Sequence, residues 1–282
     1  MLSQSQKYFI PEPSRWPIFG SVALFCMALG AALWFNGGGF GPIVVAIGLA
    51  ILIYMLFGWF GTVAGESEGG QFNRQVDTSF RWGMSWFIFS EVMFFAAFFG
   101  ALFYMRVISV PWLASGDTSE QLWQGFSAAW PSQGPGLKNV FSPMEAMGIP
   151  ALNTLILLSS GVTVTIAHWG LLKNNRSQLI KWLMATIALG ILFLGLQAYE
   201  YVHAVADGLT LKTGAYGATF FMLTGFHGFH VTVGTIMLIV ILGRSIKGHF
   251  SAEHHFGFEG VAWYWHFVDV VWLLLFVLVY WL

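Results

Sequence analysis

The sequence predicts an all-α membrane protein with seven transmembrane helices. Two features of its composition lead to this prediction. Hydrophobic residues make up 57% and charged residues only 9% of the 282 residues, whereas a soluble domain carries about 25% charged residues. The mean hydropathy is +0.70. A third observation is that seven apolar segments each reach the length of about 20 residues that a helix needs to cross a bilayer.

The apolar segments also predict how the chain is divided. They are Trp16–Phe35, Gly41–Val63, Phe80–Arg106, Pro150–Leu172, Trp182–His203, Tyr216–Gly243 and Gly260–Leu282. The first two are separated only by a short glycine-rich stretch, so residues 1–65 are expected to form an antiparallel two-helix hairpin. A polar connection is predicted at 66–79, followed by a five-helix bundle at 80–282 that contains a long loop at 107–149 with several prolines and glycines.

The distribution of basic residues predicts the orientation in the membrane, because lysine and arginine are enriched on the cytoplasmic side. Nine basic residues flank the spans on the side of the N-terminus and three flank them on the opposite side. The N-terminus is therefore predicted to be cytoplasmic and the C-terminus periplasmic. The nine are Lys7, Arg15, Arg74, Arg81, Lys173, Arg176, Lys181, Arg244 and Lys247, and the three are Arg106, Lys138 and Lys212.

The net charge and the cysteine content exclude several classes of function. A formal net charge of −1 provides no basic surface for nucleic acid. The single cysteine, Cys26, excludes an intrachain disulfide and a metal cluster held by cysteines. The polar side chains inside the spans are candidates for a functional site.

Glu91 is the most unusual of these side chains. It lies close to the middle of the third apolar segment and is surrounded by aromatic residues. A bare charge at this depth is costly, so the carboxyl is expected to be protonated or paired. One acid without a visible chain of further acids does not make a proton channel. We therefore interpret Glu91 as a neutral or paired carboxyl, related to protons and open to apolar carboxyl reagents.

Two histidines in the sixth segment, His227 and His230, are three residues apart and hence lie on one helix face. Histidine pairs can bind haem, copper or iron, but the sequence shows no accompanying ligand set. Gly225, Gly228 and Gly234 on the same segment indicate close helix packing. Hydrogen bonds between helices are the favoured role, and no metal site is predicted.

The last segment carries a dense group of aromatic and polar residues, including His266 and Asp269, which share a helix face. Such a group suggests a catalytic centre, but no set of ligands converges on it. We expect His266 and Asp269 to hydrogen-bond each other or other helices of the bundle. Together with His227 and Glu259 they form a predicted structural polar network.

Several sequence blocks, in this order, resemble subunit III of the haem–copper cytochrome c oxidases, in the bacterial form, over essentially the whole chain. The last block is the most specific of them. The blocks are Trp16-Pro17, Phe80-Arg81-Trp82-Gly83-Met84, Ser90-Glu91-Val92-Met93-Phe94-Phe95, Leu158-Ser159-Ser160-Gly161, Leu196-Gln197-Ala198-Tyr199-Glu200-Tyr201, Thr224-Gly225-Phe226-His227-Gly228-Phe229-His230, His254-His255-Phe256-Gly257-Phe258-Glu259 and Trp263-Tyr264-Trp265-His266-Phe267-Val268-Asp269.

The resemblance implies a fold and a role. Helices one and two would be separated from helices three to seven by a V-shaped cleft that holds phospholipids. The subunit would carry no haem and no copper, since these belong to partner subunits. It would pack on the catalytic subunit I, with subunit II in the same complex, support proton uptake and protect against inactivation during turnover.

The resemblance also implies roles for individual residues. Glu91 matches the buried carboxyl of the family that reacts with carbodiimide. Six residues match positions near lipid phosphates or acyl chains, namely Trp59, Glu66, Arg81, Phe87, His230 and Arg244. Where the family often has a histidine a few residues after the Glu66 position, this sequence has Phe72 and Asn73. That lipid contact is therefore lost here or taken by Gln71 or Arg74.

Two alternatives remain open. The first is the corresponding subunit of a quinol oxidase, which the presence of the first two helices disfavours because quinol-oxidase counterparts commonly lack them. The second is a stand-alone transporter or proton channel, for which the sequence shows neither internal repeats nor discontinuous helices.

Overall fold

A computed structural model describes residues 9–116, 121–137 and 141–282. Lys7 and Lys138, which enter the charge count, and parts of the 107–149 connection lie outside the described residues. Within them, seven helices are long and apolar enough to cross a membrane, as the sequence predicts. By its contacts the chain divides into two compact units, Met1–Phe80 and Arg81–Leu282.

The helices have the following bounds. α1 is Trp16–Phe35, α2 is Gly41–Glu68 and α3 is Arg74–Phe103, which continues through a π-helical segment Tyr104–Ser109 and a last turn Val110–Leu113. α4 is Ile149–Leu172, α5 is Arg176–Ala206 and α6 is Gly214–Lys247. α7 is Phe256–Leu275 and continues as a π-helical segment Phe276–Trp281.

Most helices extend further than the apolar segments from which they are predicted. The predicted connection at 66–79 is the clearest correction, because α2 continues to Glu68 and α3 already begins at Arg74. Polar residues end the hydrocarbon span but not the helix, since backbone hydrogen bonds form in water as well. Asn73 precedes α3 and caps it, because its side-chain oxygen accepts a hydrogen bond of 3.0 Å from the backbone N–H of Val76.

In the first unit, α1 and α2 pack closely along their length. Two glycines on facing surfaces permit this approach. A Cβ at Gly30 would lie 2.6 Å from the backbone nitrogen of Val45, and a Cβ at Gly48 would lie 2.7 Å from Cγ of Met27. Small residues at such contacts are the usual means by which helices associate in membranes. Close contact between the backbones of α1 and α2 therefore holds the hairpin together.

In the second unit, α7 and α4 are the most buried spans. α4 contacts α5 and α7, while α6 contacts α5 and α7. Trp265 and Trp272 of α7 are fully buried at the centre of this bundle. Trp265 lies between two glycines: a Cβ at Gly190 of α5 or at Gly234 of α6 would be 2.8 or 2.9 Å from its indole ring.

Both buried indoles have acceptors for their N–H groups. Trp265 Nε1 donates to Ser160 Oγ at 2.9 Å, and Trp272 Nε1 donates to Thr154 Oγ1 at 2.9 Å. Both acceptors belong to α4. An unpaired N–H in hydrocarbon costs several kcal/mol, so these two bonds fix α7 against the small, hydroxyl-rich surface of α4.

Candidate functional site

Glu91 of α3 and His230 of α6 form a hydrogen-bonded pair near the middle of the second unit. Glu91 Oε2 lies 2.8 Å from His230 Nε2. Each residue lies close to the midpoint of its span, Arg74–Leu113 and Gly214–Lys247. The pair therefore lies at the depth where a single charge is most costly, and each side chain supplies the partner that the other needs.

The second ring nitrogen of His230 determines where the proton of this pair resides. His230 Nδ1 lies 2.6 Å from the carbonyl oxygen of Phe226. A carbonyl only accepts, so Nδ1 carries a proton and donates. In a neutral imidazole Nε2 is then an acceptor, and the hydrogen bond requires that Glu91 donates from a protonated carboxyl. The other possibility is an imidazolium beside a carboxylate, and in both cases the pair holds one shared proton between the two residues.

Aromatic rings enclose the imidazole of His230. Its ring centroid is 5.0 Å from that of Phe95 and 5.9 Å from that of Phe94, and it stacks on Tyr264 at 6.3 Å. The side chain of Glu91 is 22% exposed and that of His230 is 8% exposed. The carboxyl is thus the more accessible member of the pair.

A second cluster lies at the start of α7 and contains Arg81 and Glu259. The guanidinium of Arg81 forms an ion pair with the Glu259 carboxylate and lies over the ring of Phe256, 5.9 Å from its centroid. His255 Nε2 lies 4.0 Å from the same carboxylate. Glu259 therefore connects the beginning of α7 to α3, while one third of the Arg81 side chain stays exposed.

Arg244 reaches the same end of α7 from α6. Its guanidinium lies over the ring of Phe250 at 4.6 Å, and a Cβ at Gly257 would be 3.2 Å from Arg244 Nη1. Arg81 and Arg244 thus contact adjacent residues, Phe256 and Gly257. Two guanidinium groups at the N-terminus of a long helix make a region favourable for an anion.

The other predicted lipid-binding residues lie in different surroundings. Phe87 of α3 stacks on Tyr264 with ring centroids 6.2 Å apart, next to the His230 pair. Trp59 and Glu66 belong to α2 in the first unit, where the half-exposed Trp59 stacks on Phe60 at 6.3 Å. In the second unit, therefore, His230 and Phe87 lie together, and Arg81 and Arg244 lie together.

The predicted polar network consists of separate pairs. His227 is fully buried, and its Nε2 donates to the carbonyl oxygen of Val268 in α7 at 3.1 Å. His266 Nδ1 lies 3.6 Å from Asp269 Oδ2 within α7, and its Nε2 lies 3.3 Å from Thr165 Oγ1 in α4. The two histidines thus connect α7 to α6 and α4, while Asp269 is paired within α7. No group of three or more metal-ligating side chains is found in the described residues.

One buried polar cluster was missed by sequence reasoning. Asn153, Gln197 and Tyr280 are joined by hydrogen bonds of 3.4 Å from Asn153 Nδ2 to Gln197 Oε1 and from Gln197 Nε2 to Tyr280 OH. Glu200 is only 3% exposed and faces the Tyr280 hydroxyl. Gln197 and Glu200 lie close to the end of the predicted apolar segment Trp182–His203. The spacing of these two residues puts both on one face of α5, and a shared buried partner could have been predicted from it.

Comparisons with known proteins show similarity to one family over nearly the whole chain. The family model described as cytochrome c oxidase subunit III matches residues 6–282. The chain is 41% identical over 282 residues to cytochrome c oxidase subunit 3 of Scyliorhinus canicula, covering 100% of this chain and 99% of that relative. It is 42% identical over 284 residues to the protein of the same name from Marchantia polymorpha, covering 99% and 98% of the two chains.

Proposed function

This chain belongs to the cytochrome c oxidase subunit III family, and on that premise we propose that it is a non-redox accessory subunit of a proton-pumping cytochrome c oxidase. Membership makes it a multi-pass membrane subunit of a respiratory-chain oxidoreductase, with other oxidase subunits as partners. Haem, copper and the reduction of oxygen to water would belong to those partners, chiefly subunit I, with subunit II in the same complex.

The convergence of Arg81 and Arg244 at the start of α7 is the observation that supports lipid binding best. Phosphate oxygens accept strong hydrogen bonds from guanidinium groups, and basic residues at the cytoplasmic rim attract anionic head groups. We propose that these arginines bind a phospholipid phosphate and that Phe87 and His230 contact its acyl region. Trp59 and Glu66 of the first unit are proposed separately as lipid-binding residues. The V-shaped cleft implied by the resemblance remains a prediction.

The Glu91–His230 pair supports a role related to protons. A shared proton between two titratable groups at mid-membrane depth gives the chain a carboxyl that stays neutral or paired without a continuous path of acids. We propose that the pair keeps α3 fixed to α6, that Glu91 is the carbodiimide-reactive carboxyl, and that the intact bundle sustains proton uptake by subunit I and protects it during turnover.

The experiment is purification of the oxidase through an affinity tag on this chain, followed by measurement of haem, copper and bound phospholipid. We expect haem-bearing and copper-bearing subunits and a stoichiometric amount of phospholipid to copurify. Oxidase depleted of this chain should inactivate faster during turnover and recover when the chain is restored. Absence of haem from the purified material would contradict the proposal and favour the stand-alone transporter or proton channel.

The proposed cytochrome c oxidase and its alternative, a quinol oxidase, differ in the molecule that donates electrons. The complete length of the match, which includes α1 and α2, favours cytochrome c. Oxygen consumption by the purified complex with reduced cytochrome c or with a quinol as the only donor distinguishes the two oxidases.

The orientation is proposed from the charge distribution, and the location from the resemblance to the bacterial form of the family. The N-terminus would lie in the cytoplasm, and the membrane would be the cytoplasmic membrane of a bacterium, although the relatives named above are eukaryotic. In a Cys26→Ser background, a membrane-impermeant maleimide added outside should label Lys212→Cys and leave Lys247→Cys unlabelled in intact cells. The reverse pattern would contradict the orientation.

A further inference from the structure

A groove of about 510 Å³ between α4 and α7 combines an apolar surface with a polar centre in the middle of the membrane. Its apolar lining includes Leu158, Val162 and Trp169, which are 41–59% exposed. His266 and Asp269 also line it. Leu158, Val162 and Trp169 are spaced by four and seven residues, which places them on one helix face, so the groove runs along α4.

The polar centre lies at mid-membrane depth. Asp269 is near the midpoint of the span Phe256–Trp281, and Gly161, directly opposite it, is at the midpoint of the span Ile149–Leu172. A Cβ at Gly161 would overlap the Asp269 carboxylate, so the carboxyl occupies space that only a glycine leaves open. Polar groups at this depth are expected to face a partner, because hydrocarbon supplies none.

The hydrogen bonds within the chain leave this centre incompletely satisfied. Thr165 Oγ1 donates to the Gly161 carbonyl at 2.9 Å, so its oxygen is the acceptor for His266 Nε2. The 3.6 Å from His266 Nδ1 to Asp269 Oδ2 exceeds a normal hydrogen bond. Within the part of the chain that the structure describes, Asp269 Oδ1 is buried without a hydrogen-bond donor, and the neighbouring His266 side chain, which lines the groove and is 46% exposed, is the polar group that a partner can reach.

We propose that the α4–α7 groove is the docking surface for a transmembrane helix of another oxidase subunit that presents a hydrogen-bond donor to the Asp269–His266 pair. This inference rests on the proposed function, since it takes the partner from the same complex. A lipid acyl chain fills the apolar groove but donates no hydrogen bond at this depth. A second copy of the chain docked by the same surface would bring two carboxyls of Asp269 together, which is unfavourable.

The test places a photoreactive amino acid at Val162, which lines the groove and is 59% exposed, in the assembled oxidase. The matched control is Ile191, at the midpoint of α5 and 54% exposed. Irradiation should join this chain to another oxidase subunit from Val162, and mass spectrometry of the product should identify a transmembrane peptide. Products formed only with lipid, only with a second copy of this chain, or equally from Ile191 would overturn the proposal.

A second measurement introduces a larger side chain into the groove. Val162→Trp should fill the space that the partner helix occupies and lower the amount of this chain retained per haem by about tenfold, which corresponds to about 1.4 kcal/mol. Ile191→Trp should leave retention unchanged. Equal retention of the two variants would overturn the proposal. If the groove variant behaves as the control while depletion of the chain still hastens inactivation, the docking surface is wrong and the proposed function stands.

Discussion

Glu91 Oε2 and His230 Nε2 are 2.8 Å apart, and this bond joins two helices at the depth where neither side chain could stay alone. Because His230 Nδ1 already donates to the Phe226 carbonyl, a neutral imidazole accepts at Nε2 from a protonated Glu91, whereas an imidazolium donates from Nε2 to a Glu91 carboxylate. In either arrangement the pair buries an acid without burying a net charge. Substitutions at Glu91 show which effects depend on the hydrogen bond to His230 and which depend on the carboxyl group.

The first prediction is that Glu91→Gln abolishes carbodiimide labelling while oxidase assembly and electron transfer are largely retained. The glutamine amide donates to His230 Nε2 as the protonated carboxyl does, but it provides no reactive carboxyl. Labelling is measured on the purified oxidase by mass spectrometry of this chain, and activity by oxygen consumption with reduced cytochrome c.

Glu259→Gln is the matched control, because Glu259 is ion-paired with Arg81 and its replacement should leave the labelling intact. Glu91→Leu should instead destabilise the chain by about 1–3 kcal/mol, since it leaves a buried acceptor without a donor. Complete loss of oxygen reduction in Glu91→Gln would show that this chain takes part in the chemistry and would overturn its accessory role.

The second prediction concerns the two arginines at the start of α7. The double variant Arg81→Ala with Arg244→Ala should reduce the phospholipid that remains bound after purification and should hasten inactivation during turnover. Hydrogen bonds to charged groups contribute about 1.5–3 kcal/mol each, so lipid affinity should fall by at least about tenfold. Lipid mass spectrometry and the time course of oxygen consumption provide the two measurements.

Glu259→Gln distinguishes lipid binding from a purely structural role of Arg81. It removes the ion pair but leaves the guanidinium, so bound phospholipid should be retained or increased. If Glu259→Gln loses lipid as the arginine variants do, the Arg81–Glu259 pair acts only in packing. Unchanged lipid in the double arginine variant would contradict the proposed phosphate site itself.

The number and location of the spans could be predicted from the sequence because hydrocarbon thickness imposes a minimum apolar length. The helix ends could not, and α2 and α3 show why. Apolar length measures the hydrocarbon part of a helix, whereas Gly69 and Asn73 determine where the backbone hydrogen bonds of these two helices stop and begin. The predicted 66–79 connection is thereby reduced to the few residues between Glu68 and Arg74.

The individual site residues could be selected from the sequence, but their partners could not. Depth alone identified Glu91, and helix spacing alone placed His227 and His230 on nearby positions of α6. The partner of each depends on the rotation of α6 against α3 and α7, which no local pattern encodes. His230 faces Glu91, whereas His227 faces the Val268 carbonyl, and the burial of Glu200 likewise depends on the location of Tyr280.

The third prediction tests the close packing around Trp265. Gly190→Ala should destabilise the bundle by about 1–3 kcal/mol, because the new Cβ would lie 2.8 Å from the indole ring and overpacking in a dense interior carries this cost. Gly195→Ala is the control on the same helix, since nothing lies within 4 Å of its Cβ position. Denaturant unfolding of the purified oxidase, followed by loss of this chain, measures both. Equal midpoints would contradict the packing of Trp265 against α5.

The fourth prediction concerns the bond between Trp272 Nε1 and Thr154 Oγ1, which is 2.9 Å long and joins α7 to α4. Thr154→Val keeps the shape of the side chain but removes the acceptor, and Trp272 is fully buried, so no water replaces it. Hydrogen bonds between helices in membranes contribute about 0.6–1.7 kcal/mol, and the same unfolding measurement should show a loss of this size. Thr154→Ser retains the hydroxyl and should stay near the wild-type midpoint. If the serine variant is destabilised as much as the valine variant, the threonine methyl group and its packing, not the hydrogen bond, hold α7 to α4 at this level.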